Sequence, residues 1–299
     1  MTIIDTQAHL AQTSTLPSTQ HATSRRRART RHYVMCTPSH FAVEYAINPW
    51  MDPTVPVDAE RATAQWDDLR HAFLELGHRV DVIAPVPGQP DMVFAANGGI
   101  TVGNRTYGAM FRHAQRESEA AAFASFLRAQ GLDVTDPTHV NEGEGDFLVL
   151  SSVILAGTGF RTSLEAHVEA AETLDRPVVS LQLVDPRFYH LDTALAVLDD
   201  GGGAAPSDIA YYPGAFSPHS RRTLRELFPD AVQVSEMDAL VLGLNAVSDG
   251  HNVVLPTAAS RFAGTLKDRG YNPLPVELGE LLKSGGSVKC CTMELHETA

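Results

Sequence analysis

From Tyr33 onward the chain repeats one plan five times: an amphipathic helix, a break, and a short β-rich run. In the first helix pattern Ala62, Trp66, Leu69 and Phe73 recur at the three- to four-residue spacing that buries one helix face. Glycines follow several of these helices, and glycine is a common helix stop. Recurrence of one unit five times predicts a repeat architecture.

The five predicted units each contain one helix and a strand that follows it. The helix and strand pairs are expected at residues 62–76 and 80–83, 123–127 and 132–134, 164–171 and 177–181, 224–228 and 231–234, and 262–266 and 274–276. The 268 residues after position 31 give about 54 per unit, enough for a helix and three short strands. A doubly wound α/β sheet is the alternative, but no glycine-rich phosphate loop follows a first strand.

Residues 1–31 differ from the rest of the chain. They are rich in Thr, Ser, Gln and Ala and end in the arginine-rich run 25–31, with little to bury. We therefore predict a disordered tail over residues 1–31 and a single folded domain over 32–299. An anion-binding arm is the alternative for the basic run.

Composition excludes several classes of function. The chain of 299 residues is 43% hydrophobic, which suffices for a full core, and it carries a net charge of -13. That acidity argues against nucleic acid as a partner, and no apolar run approaches the roughly 20 residues of a membrane span. Three cysteines and the lack of an apolar signal core predict a cytoplasmic protein without a disulfide framework. The oligomeric state is not fixed by the sequence.

Two of the three cysteines stand together near position 290, shortly after the glycine pair Gly285-Gly286. Glycines let the backbone turn tightly and approach a ligand, and a thiol held there can act as a nucleophile once it is deprotonated. A buried structural pair, Cys290-Cys291, is the simpler interpretation. The other polar residues of the chain favour the nucleophile.

Several acidic and imidazole groups occur in the segments between the repeated units. His190 and Asp192 would share a face of an extended strand, which would let the carboxylate tune the imidazole. Glu142, Glu144 and Asp146 alternate with glycines, a pattern that alone would indicate an acidic turn.

Guanidinium and amide groups complete the set of candidate site residues. Arg112 and Arg161 follow apolar runs and could bind a substrate carboxylate with two hydrogen bonds each. Asn48 and Asn97 supply amides, and Asp91 supplies a further carboxylate. Carboxylates that hold a planar cation beside a thiol and an imidazole suit an amino acid with a guanidinium group. A metal site fits poorly, because no cluster has ligand spacing, and no cofactor is expected.

These motifs, in this order, resemble the guanidine-modifying branch of the pentein superfamily over about residues 33–295. The resemblance is nearest to the catalytic domain of the arginine dihydrolases. The matching segments are Met35-Cys36 through His40, Tyr45, 47–51, 90–97, Glu142-Gly143 with Gly145-Asp146, 159–161, 187–193, 245–247, and Gly285-Gly286 with Lys289-Cys290 and Thr292. The resemblance implies a pentein fold, a five-bladed αβ propeller.

The resemblance also implies roles for individual residues. It makes Cys290, and not Cys291, the nucleophile of a covalent amidino intermediate, with His190 as the general acid and base. By the same resemblance, three acids surround the guanidinium or the imidazole: Glu142, Asp146 and Asp192. Arg112 and Arg161 would bind the substrate carboxylate, and Asp91 would hold the substrate amine or guanidinium.

Asn97 separates the branches of this family. Dimethylargininases and arginine deiminases normally carry an acid at this position, whereas the dihydrolases carry Asn. An amide can donate to the neutral ureido oxygen of citrulline and so retain it for a second hydrolysis. The sequence therefore predicts hydrolysis of arginine to ornithine, ammonia and carbon dioxide, although dihydrolases often have a longer, two-domain chain.

The alternatives are a dimethylargininase, an arginine deiminase, and an amidinotransferase in which an amine replaces water as the acceptor. Some penteins bind ribosomes and do no chemistry, but they lack the cysteine, histidine and carboxylate set.

Overall fold

The computed structural model describes residues 26–202 and 206–296, which form five three-stranded sheets. The first sheet contains β1 (His32–Cys36), β2 (Arg79–Ile83) and β15 (Met293–Glu294); the second β3 (Gly99–Val102), β4 (Arg105–Gly108) and β5 (Asp133–Thr135); the third β6 (Phe147–Val149), β7 (Ile154–Thr158) and β8 (Val178–Gln182); the fourth β9 (Leu195–Asp199), β10 (Asp208–Tyr211) and β11 (Val232–Gln233); and the fifth β12 (Val247–Ser248), β13 (Asn252–Pro256) and β14 (Asn272–Val276).

All five sheets share one topology. The middle strand pairs antiparallel with one neighbour and parallel with the other. In four sheets the chain supplies the three strands consecutively, with a helix before the parallel strand. In the first sheet β15, from the other end of the domain, takes the antiparallel place beside β1.

In the described part of the chain, five longer helices connect the parallel strand pairs, and three helices of four residues lie between sheets. In chain order they are α1 (Ala59–Glu75), α2 (Glu119–Ala129), α3 (Leu164–Leu174), α4 (Leu191–Ala194), α5 (Pro218–Leu227), α6 (Glu236–Ala239), α7 (Ser260–Asp268) and α8 (Gly279–Leu282). Each long helix is followed by the predicted strand, and four of the five bury apolar residues of the predicted stripes. In α3 the predicted stripe of Leu164, Val168 and Ala171 is wrong, because Leu164 and Val168 are exposed. That helix instead buries Ala166, His167, Ala170 and Leu174.

Helix α1 shows why the local sequence folds in this way. The Asp58 side chain accepts a hydrogen bond from the backbone N–H of Arg61 (3.0 Å) and caps the first turn. The apolar stripe that includes Trp66 and Phe73 is buried, and the helix ends just before Gly77, whose φ of 81° suits glycine.

Residues 26–31, which the sequence assigned to the tail, pack against the domain. Their arginines form ion pairs with acidic residues of the first and fourth sheets and the segments beside them. The pairs are Arg26–Asp208 at 2.9 Å, Arg29–Asp199 at 3.1 Å, and Arg31 with Asp200 at 2.8 Å and Glu294 at 3.1 Å. The rest of the predicted tail, residues 1–25, lies outside the described residues.

Within residues 26–202 and 206–296, no helix combines the length and hydrophobicity that a membrane crossing needs.

Candidate active site

The segment 285–292 brings Cys290 into a small cavity. Gly285 has a φ of +83° and Gly286 lies against the ring of Phe94, where an added Cβ would approach a ring carbon to 2.1 Å. Both positions therefore require glycine. The glycine pair lets the chain pass close to Phe94 and then present Cys290 from the turn that precedes β15.

Cys290 is buried and its thiol has two polar partners. Its Sγ lies 3.3 Å from Asp192 Oδ2 and 3.1 Å from Asn245 Nδ2. Burial and then the neighbouring Asp192 charge raise the pKa of the Cys290 thiol well above its ordinary value. The thiol donates to Asp192, and the sulfur accepts from the Asn245 amide.

Asp192 is a buried carboxyl group with one oxygen free to accept a hydrogen bond. Burial raises the pKa of Asp192 to about 7, and its Oδ1 has no hydrogen-bond partner among the described residues. A cation that enters the cavity would stabilise both the Asp192 carboxylate and a Cys290 thiolate.

His190 pairs with a different carboxylate. Its Nε2 lies 2.7 Å from Glu142 Oε2, whereas its Nδ1 has no partner in the described part of the chain. Burial opposes ionisation of Glu142, but the charges of Arg161 and His190 outweigh it and lower the pKa of Glu142. This ionised carboxylate accepts a hydrogen bond from the imidazole and orients it.

The predicted pairing of His190 with Asp192 on one strand is wrong. His190 is the N-cap residue of α4 and Asp192 lies inside that helix. Asp192 thus contacts Cys290, while His190 contacts Glu142. The turn is fixed by Asp146, whose Oδ1 accepts from the backbone N–H of Leu191 (3.0 Å), a tertiary contact that sequence spacing does not reveal.

Asp146 lies behind this turn. Its Oδ2 accepts from the Thr162 hydroxyl (2.7 Å), and burial raises the pKa of Asp146 to about 6. Both carboxylate oxygens are therefore occupied, and Asp146 supports the His190 segment instead of lining the cavity.

The cavity wall combines predicted and unpredicted residues. The predicted ones are Asn48, Asp91, Asn97, Arg161 and Cys290, and the unpredicted ones are Ile47, Phe94, Arg116, Tyr189 and Ser284. Two hydroxyl groups hold Asp91, because Tyr45 and Ser284 each donate to one of its oxygens at 2.8 Å. Asn48 donates through Nδ2 to the Ser284 carbonyl (3.0 Å), which joins the first segment of the domain to the Cys290 turn.

Of the two arginines predicted to bind the substrate, only Arg161 lines the cavity. Arg161 donates to Glu142 (2.9 Å) and to the Ile47 carbonyl (2.9 Å), and its guanidinium carbon lies 4.8 Å from the Tyr189 ring centre. The Arg112 side chain is exposed, and only its backbone N–H reaches Glu142 (3.2 Å).

Arg116 occupies the cavity wall where Arg112 was expected. It is buried in a short 3₁₀ turn before α2 and donates to Asn97 Oδ1 (2.8 Å). The sequence signal that distinguishes it is an acid three residues later, Glu119, with which it pairs at 2.8 Å; Arg112 lacks such a neighbour.

A second cavity lies beside the Cys290 turn, which contributes Lys289 to its wall. Its polar wall includes Lys289, Glu144 and His296, and strands β6, β9 and β12 supply apolar side chains. Lys289 pairs with Glu144 at 2.5 Å, and His296 lies 3.2 Å from the same carboxylate. The buried Glu144 carboxylate is thus contacted by two basic side chains.

The fold and this site together define a class of enzyme. A buried thiol lies beside one carboxylate, and an imidazole is oriented by a second. The cavity wall adds the Asp91 carboxylate, amides and two guanidinium groups. These groups suit nucleophilic attack on a polar substrate. The chain is an enzyme of the hydrolase class.

Comparison with known proteins agrees with this class. No protein-family model matches the chain. An N(G),N(G)-dimethylarginine dimethylaminohydrolase of Mycobacterium tuberculosis is 55% identical over 273 residues, which cover 91% of this chain and 88% of that protein. The chain therefore belongs to the guanidine-modifying pentein family that includes this enzyme.

Two solved structures extend the comparison. The N-terminal domain of ArgZ, a cyanobacterial arginine dihydrolase, in a cysteine-to-serine form bound to substrate, is 34% identical with a TM-score of 0.85, covering 89% of this chain and 98% of that one. The chain spans 37% of the full-length bifunctional ArgZ of Synechocystis. A DDAH of Pseudomonas aeruginosa bound to citrulline shares the fold, with 16% identity, a TM-score of 0.75, and 89% and 99% coverage.

Proposed function

We propose that the chain hydrolyses the guanidinium group of N-methylated arginine to citrulline and a methylated amine, without a cofactor. The observation that carries this proposal is the contact of Cys290 Sγ with Asp192 Oδ2 (3.3 Å) beside a cavity with carboxylate, amide and guanidinium groups. A planar cation bound there would meet a thiol on one side and hydrogen-bond acceptors around it.

The sequence favoured arginine dihydrolase activity over dimethylargininase activity. The proposal of N-methylated arginine as the substrate reverses that preference. The dimethylarginine relative is 55% identical and the chain covers 88% of it, whereas the dihydrolase relative is 35% identical and contains a further segment absent from the match. The comparisons support the dimethylargininase alternative better.

In the first half of the proposed reaction, the guanidinium approaches Asp192 and stabilises a thiolate on Cys290. The sulfur attacks the central guanidinium carbon, a C–S bond forms, and the bond to the methylated nitrogen breaks. His190 protonates the departing amine, so the proton lost by the thiol leaves with the amine.

In the second half, His190 accepts a proton from a water molecule that attacks the same carbon. The C–S bond breaks, Cys290 becomes a thiol again, and the product is a neutral ureido group. Loss of the positive charge removes the attraction to Asp192 and favours product release.

Arg161 is the proposed site for the substrate carboxylate. Its contacts with Glu142 and Ile47 leave donors of the guanidinium free, and its packing on Tyr189 fixes the plane. Arg116 lines the same cavity in place of Arg112, but Glu119, Asn97 and the Asp91 carbonyl take four of its donors, so Arg161 is the arginine proposed to bind the carboxylate.

The proposal includes the arrangement of the sheets. We propose that the five sheets are the blades of one propeller, with the active site among the segments that join them. The support is their common topology and the contacts between antiparallel strands of different sheets, β9 with β12 and β15 with β3.

Arginine dihydrolase remains the second candidate because of Asn97. Its amide faces the cavity and carries no charge, so it would not repel the ureido oxygen of citrulline as a carboxylate would. A second attack on retained citrulline would then give ornithine.

The test is to incubate the purified protein separately with asymmetric dimethylarginine, arginine and citrulline, and to identify products by mass spectrometry. Citrulline and dimethylamine from dimethylarginine are expected, with slower turnover of arginine. Ornithine from arginine and from citrulline would favour the dihydrolase, and Asn97→Asp should then stop that reaction at citrulline. Transfer to an added amine in preference to water would indicate an amidinotransferase.

A further inference from the structure

Arg116 uses almost all of its hydrogen-bonding capacity inside the protein. A guanidinium has five N–H donors. Two of them reach the two oxygens of Glu119 at 2.8 Å, one reaches Asn97 Oδ1 at 2.8 Å, and one reaches the Asp91 carbonyl at 3.1 Å. Glu119 is fully buried and Arg116 is 4% exposed. This is the fork-to-fork geometry in which an arginine is held most rigidly.

These contacts fix the orientation of the Asn97 amide. Its Oδ1 accepts from Arg116, and its Nδ2 donates to the Glu142 carbonyl at 3.2 Å. Rotating the amide by half a turn would set its NH₂ against an Arg116 donor and its oxygen against the Glu142 carbonyl. Both hydrogen bonds would be lost in a buried site, where unpaired polar groups are costly.

The Asn97 amide nitrogen and the His190 imidazole both lie beside Gly145. A Cβ added at Gly145 would lie 2.3 Å from Asn97 Nδ2 and 3.2 Å from His190 Nδ1. Both nitrogens therefore border the same point. One N–H of the Asn97 amide is left after its bond to Glu142, because an amide nitrogen has two.

We propose that Glu119 is a positioning residue which, through Arg116, holds the Asn97 amide with its N–H toward the reacting group, and so tunes the site to a ureido oxygen. The inference rests on the proposed function for its substrate class and on the contacts above for its mechanism. A guanidinium has no acceptor for that N–H, whereas the ureido oxygen of citrulline has one. Glu119 touches neither substrate nor Cys290 and acts only through its neighbours.

The amide orientation can be tested in the free protein. The side-chain NH₂ signals of Asn97 are assigned in ¹H–¹⁵N spectra as those absent from Asn97→Ala. Glu119→Gln replaces one acceptor of Arg116 by a donor and should shift and broaden these signals and speed their exchange with water. Glu117→Gln, two positions earlier and exposed, is the matched control and should leave them unchanged.

The effect on recognition is tested by inhibition with citrulline. Glu119→Gln should raise the citrulline inhibition constant about tenfold, as expected for loss of one hydrogen bond in a buried site, while KM for dimethylarginine changes less than twofold. In an Asn97→Ala background the same substitution should have no further effect on the citrulline constant. Equal effects of Glu119→Gln in both backgrounds would overturn the proposal.

Glu119→Asp keeps the charge and should restore part of the citrulline affinity. Should Glu119→Gln fail to fold, Arg116→Lys serves instead, because a lysine keeps the charge but lacks the fork, and it should give the same change in the Asn97 signals. Unchanged Asn97 signals in the folded variant would refute the inference. A wild type that turns over no guanidine while its Asn97 signals respond to Glu119 would refute only the proposed function.

Discussion

Asn245 holds Cys290 by two atoms at once. Its Nδ2 donates to Cys290 Sγ at 3.1 Å, and its Oδ1 accepts from the Cys290 backbone N–H at 3.0 Å. The same Nδ2 reaches the Asp192 carbonyl at 3.2 Å. The sulfur and the carboxylate beside it are therefore positioned by a single amide that the sequence did not place among the site residues.

Asn245→Ala should lower kcat/KM about 10- to 100-fold, because the thiolate loses a hydrogen-bond donor in a buried site. The pH dependence of Cys290 alkylation by iodoacetamide should move to higher pH, since the charged form of the sulfur loses stabilisation. The exposed Asn104→Ala is the control. An alkylation profile identical to that of the wild type would remove Asn245 from thiolate stabilisation.

The two adjacent cysteines should differ sharply. Cys290→Ser should abolish turnover, because its Sγ is the one against Asp192. Cys291 lies in an apolar cluster, so Cys291→Ser should keep most turnover and lose about 1–3 kcal/mol of stability from a buried hydroxyl. Turnover and chemical denaturation are measured for both. A dead Cys291 variant beside an active Cys290 variant would reverse the assignment.

His190→Ala should lower kcat by about 10²–10⁴, because one imidazole serves as acid in the first half of the reaction and as base in the second. If attack by Cys290 still occurs, intact-protein mass spectrometry should detect the covalent adduct. Near-normal turnover would exclude histidine from the mechanism.

Arg161 and Arg112 should differ in their effect on KM, because only Arg161 lines the cavity. Arg161→Ala should raise KM about 10- to 100-fold through loss of a charge-assisted hydrogen bond, whereas the exposed Arg112→Ala should change KM less than twofold. Agmatine, which lacks the carboxylate, should be a poor substrate of the wild type. Equal KM increases in the two variants, or agmatine turned over as well as arginine, would contradict this assignment.

Asp192 should make the fold less stable as pH rises. Its folded pKa of about 7 lies above the ordinary value of 3.8, so between these values the folded protein holds a proton that the unfolded chain has released. The contribution of Asp192 to the free energy of unfolding is therefore fully present below about pH 4 and is lost as pH rises through 7. Asp192→Asn should remove this loss.

The measurement is the unfolding temperature of both proteins between pH 5 and 8. The wild type should fall relative to Asp192→Asn by about 2–4 °C for each kcal/mol lost. Asp146 contributes with the same sign to both proteins and cancels in the difference. The exposed Asp230→Asn is the control, and parallel curves for wild type and Asp192→Asn would disprove the raised pKa.

The local patterns of the sequence predict much of the fold but only part of the site. The stripe of Trp66 and Phe73 and the stop at Gly77 are properties of neighbouring residues, so α1 could be predicted. Motif resemblance placed Asp91 and Arg161, which do line the cavity. Their catalytic roles stay predictions.

The parts that sequence reasoning missed depend on contacts between distant segments. Ser284 reaches Asp91 from almost the other end of the domain, and Asp146 imposes the helical turn on Leu191 that separates His190 from Asp192. Arg112 and Arg116 both lie near apolar residues, so the local sequence does not show which of them is buried. Arg116 is the one that pairs with the buried acid Glu119.

Because β15 pairs with β1, the first sheet and the site beside it are completed late in synthesis of the chain. Cys290 is translated after all the other residues of the site, and the strand that follows it completes a sheet whose other two strands emerged first. A nascent chain on the ribosome thus carries the acids, the imidazole and the arginines before it carries the nucleophile. Chains interrupted before Cys290 lack both the thiol and the third strand of the first sheet, and they therefore lack the group that the proposed reaction needs.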